Sequence, residues 1–156
     1  MNTLEQIKLT NNKVALIDSE DYKLVSKYKW YCSNNCGKLY AVNKNKKVLY
    51  MHRLIISAPK GYEVDHINGD GLDNRKSNLR LCSSSQNKYN QKISTINTSG
   101  FKGVTWNKNR NKWQSQIGCG KKYKYLGLFK DKHAAAKAYN EEASKLFGKF
   151  ARVNIL

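Results

Sequence analysis

The sequence has no long hydrophobic run, and it also lacks the features of a secreted chain. No apolar stretch approaches the roughly 20 residues needed to span a bilayer. The first residues, MNTLEQIKLTNNK, lack the apolar core of a signal peptide. We therefore expect no membrane association and a cytoplasmic location.

Cysteine is sparse and badly spaced for a metal knuckle. The four cysteines, Cys32, Cys36, Cys82 and Cys119, form no pair of CxxC motifs. In a reducing compartment they are expected to be small buried hydrophobes rather than disulfides. Cys32 and Cys36 supply at most half of a zinc site, so a structural zinc ion is not expected.

Acidic side chains are scarce. The chain has 29 Lys plus Arg against 11 Asp plus Glu, a formal net charge of +18. Residues 1–92 hold 16 basic and 8 acidic side chains, and residues 93–156 hold 13 and 3. Because the excess runs through the whole chain, it belongs to folded surface rather than to a basic tail. Such a field attracts polyanions, of which nucleic acid is the commonest, with ribosomal or membrane-surface binding as alternatives.

The pattern of elements predicts an α+β fold in two small domains. In the first part, 13–17, 38–42 and 47–56 read as strands of a small antiparallel sheet. After Pro59 the order is strand, loop, strand and then a helix that begins at capping serines. Polar residues 92–100 lack hydrophobic periodicity, so we predict domains at 1–92 and 99–156 joined by a linker at 93–98.

The second part reads as three strands and one helix. The alternating strands are FKGVTW (101–106), KWQSQI (112–117) and KYKYLGLF (122–129). The helix has Asp131 as its N-cap and Gly148 at its C-terminal end. Its predicted apolar face contains Ala135, Ala138, Tyr139, Ala143, Leu146 and Phe147. A three-stranded antiparallel sheet packed on one amphipathic helix makes a complete two-layer fold.

Four of the eleven acidic residues gather in EVDHINGDGLDNRKSNLRLC (63–82), which also holds a histidine and several asparagines. Phosphodiester hydrolysis needs an activated water and positive charge near the phosphate. A neutral histidine can take the proton, and an ion such as Mg²⁺ held by few protein oxygens can supply the charge. Asp65 and His66 are adjacent, so on a strand they point to opposite sides. A hydrogen-bonded loop is therefore needed to complete a site around them.

These residues resemble the HNH endonucleases, in the branch of phage and intron homing enzymes whose last histidine is replaced by asparagine. The resemblance rests on Asp65-His66, on Asn78 in KSNLRL and on Asn87 in SSSQN. It implies a ββα-metal motif in which His66 is the general base, Asn78 ties the hairpin loop, and Asp65 and Asn87 bind the ion. The implied ion is Mg²⁺, with Mn²⁺ as the alternative.

Three further residues of the first part are candidates for phosphate contact. His52 and Arg53 match a His-Arg pair of this branch, and Arg75 lies in the polar loop. The fork of an arginine suits two phosphate oxygens. His52, in phase with Val48 on a predicted strand, is equally consistent with a packed, hydrogen-bonded histidine.

Residues 99–155 resemble the ethylene-response-factor (Apetala-type) DNA-binding domain of plants, through FKGV, KW, YLGLF, AAAKAYNEEA and VNI. The resemblance implies a sheet that lies in the major groove, with the helix behind it. Thr105, Asn107, Gly118 and Tyr123 stand where plant domains have arginines, so the plant target does not carry over. The candidate phosphate contacts are Lys102, Lys108, Arg110, Lys112, Lys121, Lys122 and Lys124, and the candidate base or sugar contacts are Gln114, Gln116, Tyr123 and Tyr125.

Together these features predict a metal-dependent endonuclease that acts on double-stranded DNA, carried by a phage or mobile element and targeted by its C-terminal domain. We expect no small-molecule substrate and a monomer, with a dimer as the alternative. The main alternative function is a non-catalytic, sequence-specific DNA-binding regulator on a decayed nuclease scaffold. RNA binding is a third hypothesis for the function.

Overall fold

The computed structural model describes residues 3–35, 37–45, 47–120 and 122–156, and it confirms a mixed α and β fold. The chain divides into two compact units, Met1–Asn87 and Lys88–Leu156. The predicted linker at 93–98 therefore falls in the second unit, and its role as a linker stays a prediction. Across the described ranges, no helix is long and apolar enough to cross a membrane.

The first unit is built from short antiparallel sheets and short helices. Strands β1 and β2 pair, β3, β4 and β5 form a three-stranded sheet, and β6 pairs with β7. The last helix, α3, crosses the division between the units. The elements are β1 (Leu4–Lys8), β2 (Val14–Asp18), α1 (Tyr22–Val25), β3 (Tyr31–Asn35), β4 (Lys38–Asn43), β5 (Leu49–Tyr50), α2 (Met51–Ile55), β6 (Glu63–His66), β7 (Leu79–Cys82) and α3 (Ser84–Tyr89).

The core of the first unit joins β2, α1 and α2. Ile17, Val25 and Met51 are completely buried, and Trp30 is nearly so. The Trp30 Nε1–H donates to the carbonyl oxygen of Val25 at 2.9 Å, which satisfies the one polar atom of this ring. Each such side chain contributes about 1.5 to 3 kcal/mol when it is buried, so this small core depends on every member.

The prediction of one strand over 47–56 is wrong. Only Leu49–Tyr50 pair with β4, and helix α2 begins at Met51. Met51, His52 and Ile55 are buried, which is helical spacing, whereas Val48 is 60% exposed. The apolar run fits either period over so few residues, and packing against the core decides for the helix.

The strand, loop, strand and helix after Pro59 are present. In the β6–β7 hairpin, Asp65 lies opposite Arg80 and His66 opposite Leu79. Helix α3 begins with a capping box: the Ser83 N–H donates to Gln86 Oε1 at 2.8 Å, and the Gln86 N–H donates to Ser83 Oγ at 3.2 Å. This reciprocal pair sets where α3 begins.

The second unit is a three-stranded antiparallel sheet packed on one helix, as predicted. The strand order is β10-β9-β8, so β9 is central. The elements are β8 (Val104–Asn107), β9 (Lys112–Cys119), β10 (Lys122–Phe129) and α4 (Lys132–Phe147).

Helix α4 begins and ends where the sequence predicts. The Asp131 carboxylate accepts a hydrogen bond from the Ala134 N–H at 2.8 Å, and Gly148 follows the helix with φ 50°. Ile117 of β9 packs against Tyr139 and Phe147. The placement of Leu146 on the buried face is wrong, since this side chain is 43% exposed.

Candidate active site and DNA-binding face

The acidic loop between β6 and β7 is organised by Asn78. Its Oδ1 accepts from the Asn68 N–H at 3.0 Å, and its Nδ2 donates to the carbonyl oxygen of Asp73 at 2.7 Å and to Asn68 Oδ1 at 3.1 Å. Asn68 Nδ2 in turn donates to Asp73 Oδ2 at 2.9 Å. One amide thus joins both ends of the loop, because it donates and accepts at the same time.

The same loop is anchored on β2. The Leu16 N–H donates to the Leu72 carbonyl, and the Asn74 N–H donates to the Leu16 carbonyl, both at 2.8 Å. As a result Asn74 is completely buried. Its side chain therefore has a fixed place beneath β6.

Asn74 contacts the histidine that the sequence selected. His66 is 6% exposed, and its Nε2 lies 3.2 Å from Asn74 Oδ1. Asn74 Nδ2 donates to the Leu72 carbonyl at 3.2 Å, which turns Oδ1 toward the ring. Since an amide oxygen can only accept, we assign the hydrogen of the neutral ring to Nε2 and its lone pair to Nδ1.

Burial lowers the pKa of His66 below its ordinary value of 6.5, and the hydrogen bond to Asn74 and the charge of Asp65 oppose this shift. Desolvation disfavours the imidazolium. The ring is therefore neutral near pH 7, which is the form that can accept a proton.

A second histidine packs on the first. The rings of His52 and His66 meet edge to face, with centroids 4.9 Å apart, and Tyr40 lies against both. Burial, with the neighbouring His66 and Arg53, lowers the pKa of His52 to about 3. Its Nδ1 is buried with no hydrogen-bond partner among the described residues. The strand placement from which the packed alternative for His52 was argued is wrong, but the burial of this ring on α2 fits packing, and a phosphate contact by His52 stays a prediction.

The two predicted metal ligands each have a partner. Asp65 Oδ2 accepts from Arg80 Nε at 2.8 Å and from Arg80 Nη2 at 2.5 Å. Asn87 Nδ2 donates to Glu63 Oε2 at 2.6 Å. Glu63 and Asp65 are two positions apart on β6, so they share one face of the strand. The amide of Asn87 is thereby held on the same side as the carboxylate of Asp65.

This donor set fits a hard divalent ion. With Nδ2 bound to Glu63, the amide presents Oδ1 as its acceptor, and a carboxylate has about four lone-pair sites. Mg²⁺ binds through one or two carboxylates and keeps several waters. No group of three His, Cys, Asp or Glu side chains able to hold a metal occurs in the described part of the chain.

A cleft of about 430 Å³ opens beside these residues in the first unit. Its wall combines aromatic, amide and charged side chains. It is lined by Asn35, Tyr40, Tyr50, His52, Arg53, Glu63, Val64 and Asn87. His52 and Asn87, which are 35 positions apart in the sequence, both line this wall.

The two arginines proposed for phosphate contact have partners within the protein. Arg53 donates to the carbonyl oxygens of Tyr62, Ala58 and Pro59 at 2.7 to 3.2 Å. Arg75 binds Asp73 with two hydrogen bonds, of 2.7 and 2.6 Å. Both therefore stabilise loops, and a phosphate contact by either would compete with these bonds.

In the second unit the predicted base-contacting residues lie on one face. Ser115 and Ile117 of β9 are buried, so Gln114 and Gln116 point to the side away from α4. Tyr125 is the cross-strand partner of Gln116, and Tyr123 that of Gly118. Antiparallel partners project to the same side, so these two tyrosines, 77% and 58% exposed at 123 and 125, share that face.

Two of the predicted phosphate contacts are placed differently. Lys102 Nζ donates to the carbonyl oxygens of Tyr89 and Gln91 at 2.6 and 2.9 Å, and burial lowers the pKa of Lys102 to about 8. Lys124 lies on the helix side and binds Glu142 at 2.8 Å. These ammonium groups serve the fold. The others divide as follows: Lys108, Arg110 and Lys122 are exposed, Lys112 is half-buried, and Lys121 lies outside the described residues.

Sequence reasoning missed three supporting residues: Glu63, Asn74 and Arg80. Glu63 had a usable signal, since it stands two positions before Asp65 on the same strand face. Asn74 and Arg80 carry no such signal. Their contacts to Asn87, His66 and Asp65 cross 8 to 24 positions of sequence, so no local pattern marks them.

Comparison with known proteins agrees with the two resemblances. Residues 50–89 match a family model described as HNH endonuclease. The protein named Uncharacterized HNH endonuclease L560, of Acanthamoeba polyphaga mimivirus, is 33% identical over 143 residues, which cover 90% of this chain and 74% of that protein.

Two further relatives match one part of the chain each. Protein 3.8 of Escherichia phage T7 is 44% identical over 59 residues, 38% of this chain and 49% of that protein. AP2-like ethylene-responsive transcription factor TOE2 of Arabidopsis thaliana is 42% identical over 60 residues in the C-terminal region, 38% of this chain and 12% of that protein. The chain thus spans about half of the phage protein. No solved structure matches the chain.

Proposed function

Because this chain belongs to the HNH endonuclease family, we propose that it hydrolyses DNA phosphodiester bonds with His66 as general base and one divalent cation, and that its C-terminal unit directs it to duplex DNA. The proposal includes the homing type of nuclease, encoded by a phage or mobile element and active in the cytoplasm of the host cell.

The observation that carries the proposal is the state of His66. Asn74 Oδ1 lies 3.2 Å from His66 Nε2, which favours the tautomer with its hydrogen on Nε2 and ties the ring to the loop. Burial keeps the ring neutral, because it lowers the pKa of His66. The His52 ring packs against it edge to face, with the ring centroids 4.9 Å apart. A base fixed in orientation and protonation state needs no rearrangement before reaction.

Asp65 and Asn87 are the protein ligands in this proposal. Mg²⁺ or Mn²⁺, when bound, supplies positive charge that stabilises the phosphate and the leaving oxygen. Glu63 orients the amide of Asn87, and Arg80 holds the carboxylate of Asp65. In this proposal the contact to Glu63 holds the amide of Asn87 on the side of β6 from which Asp65 projects.

The second unit supplies affinity. Its exposed cations at Lys108, Arg110 and Lys122 suit phosphate contacts, and the open face of the sheet bears Gln114 and Gln116. Phosphate contacts position a protein on the duplex, whereas side chains in the groove give preference for sequence. This division fits the similarity to a plant transcription factor.

The test is nicking of supercoiled plasmid by the full chain in Mg²⁺ or Mn²⁺, with and without EDTA. We expect metal-dependent nicking, a loss of at least about 100-fold in His66→Ala, and unchanged nicking in His133→Ala, a matched change at an exposed histidine. His66→Ala should still bind duplex DNA in a mobility-shift assay. Equal nicking by the parent and His66→Ala would refute the assignment of the base.

One observation favours the alternative, a DNA-binding regulator on a decayed scaffold. Asp65 is bonded to Arg80, so an ion must bind beside or in place of a guanidinium. If this pair keeps the ion out, the parent binds duplex DNA tightly without cleaving it, and Arg80→Gln, which removes the guanidinium, should admit the ion and allow cleavage. Metal-dependent cleavage by the parent excludes this alternative.

A further inference from the structure

The open face of the second sheet carries a directed chain of side-chain amides. The Arg110 N–H donates to Asn107 Oδ1 at 3.1 Å, and Asn107 Nδ2 donates to Gln114 Oε1 at 3.0 Å. Gln114 Nε2 then donates to Gln116 Oε1 at 3.2 Å. This row of amides, the amide chain, begins at a backbone N–H, which can only donate, so the orientation of each amide is set.

This amide chain lies in the middle of the face that is turned away from α4. Gln114 and Gln116 alternate with the buried Ser115 and Ile117 on the central strand β9. Tyr125, across from Gln116, adds a half-exposed ring. The centre of the face is therefore polar but uncharged, although the chain as a whole carries a net charge of +18.

The remaining hydrogen-bonding capacity of these amides is specific. An amide side chain has two N–H donors and two oxygen lone pairs. Within the amide chain, Gln114 uses one donor and one lone pair, which leaves one donor and one acceptor. Gln116 accepts one of these hydrogen bonds and so keeps two donors and one acceptor for a ligand.

Adenine is the base whose major-groove edge matches this pair of groups, since it offers the N6 amino hydrogen and the N7 lone pair. Guanine offers two acceptors, O6 and N7, so the amide oxygen would face a lone pair. Cytosine offers one donor and thymine one acceptor beside a methyl group.

We propose that Gln114 and Gln116 are specificity-determining residues that read adenine in the major groove, so that the DNA target contains A·T pairs at two positions under β9. This inference rests on the proposed function of the second unit as the DNA-binding part. The chain from Asn107 holds Gln114 in its reading orientation, and the link from Gln114 to Gln116 extends that orientation to the second residue.

The experiment is random-site selection with the full chain carrying His66→Ala, in EDTA, so that bound DNA stays intact. We expect adenine to be enriched at two positions. Gln116→Ala should remove the preference at one of them, and Gln116→Arg should change it to guanine, because arginine binds O6 and N7 with two hydrogen bonds. In anisotropy titrations at fixed salt, the adenine-to-guanine ratio of affinities should change by about 10- to 100-fold.

Lys108→Ala serves as the control, since loss of a phosphate contact weakens binding to all sequences alike. Duplex binding with the same base preference in the parent, Gln116→Ala and Gln116→Arg would overturn the inference while leaving the nuclease assignment intact. If the folded parent binds no duplex DNA at all, the proposed role of the second unit fails, and this inference fails with it. Circular dichroism establishes that each variant is folded.

Discussion

Burial of His52 predicts that acid destabilises the first unit well above the pH at which carboxylates titrate. The pKa of His52 is about 3 in the folded protein and about 6.5 when the ring is in water. Between these two pKa values the unfolded chain therefore binds a proton on this ring, whereas the folded chain does not. The folded state has its full stability above pH 6.5 and loses stability as the pH falls from 6.5 toward 3.

The size of the effect follows from the two pKa values. Between pH 7.5 and 5, the free energy of unfolding should fall by roughly 2 kcal/mol through this one ring. His66 acts in the same direction, because burial lowers its pKa as well. A small unit has only about 5 to 15 kcal/mol of total stability, so the loss is large.

Urea unfolding followed by tryptophan fluorescence measures this loss. Trp30 is the tryptophan of the first unit, so Trp106→Phe and Trp113→Phe give a background in which it alone reports. In His52→Gln the fall in the free energy of unfolding between pH 7.5 and 5 should be smaller than in the parent by roughly 2 kcal/mol. The control His133→Gln, at an exposed histidine, should show the same fall as the parent. An equal decline in His52→Gln and the parent would show that the buried ring does not control acid stability.

Two further predictions concern one contact in each unit. Glu63→Ala should weaken Mn²⁺ binding about 10-fold, because it frees the amide of Asn87. Glu63→Gln keeps an acceptor, so its Mn²⁺ affinity should stay within a few-fold of the parent's. Electron paramagnetic resonance of Mn²⁺ measures both affinities, and equal binding by the two variants would contradict the prediction. Gly103→Ala places a methyl group 2.1 Å from the Tyr139 ring at a φ of +76° and should cost about 2 to 4 kcal/mol. Gly100→Ala has similar φ but open space, so thermal unfolding of both variants separates the clash from backbone strain.

Short-range patterns predicted much of the second unit. Strand β10 covers 122–129, as the alternation in KYKYLGLF indicates, and Asp131 caps α4. These features depend on side chains a few positions apart, so the sequence displays them directly. The strand prediction for 47–56 failed because a run of ten mostly apolar and aromatic residues fits either a strand or a helix. Only packing against the core around Met51 distinguishes the two structures.

The roles of charged residues were the least predictable. Lys102, Arg53 and Arg75 are cations of the kind that contact phosphate. In the fold, however, they donate their hydrogen bonds to backbone carbonyl oxygens or to Asp73. A cation has many possible acceptors within a fold, and sequence distance does not rank them. The roles of His66, Asp65 and Asn87 remain predictions, now with named supporting residues.

What the sequence determined by itself is therefore the set of groups: a basic surface, a histidine beside an aspartate in a polar loop, and an alternating sheet with amides on one face. Tertiary structure decided which atoms meet. The contact of Asn74 Oδ1 with Nε2 favours one tautomer of His66, and the hydrogen bond between Asn87 and Glu63 joins residues 24 positions apart. Local periodicity is a property of neighbouring residues, whereas the ionisation and orientation of a side chain depend on whatever the fold places against it.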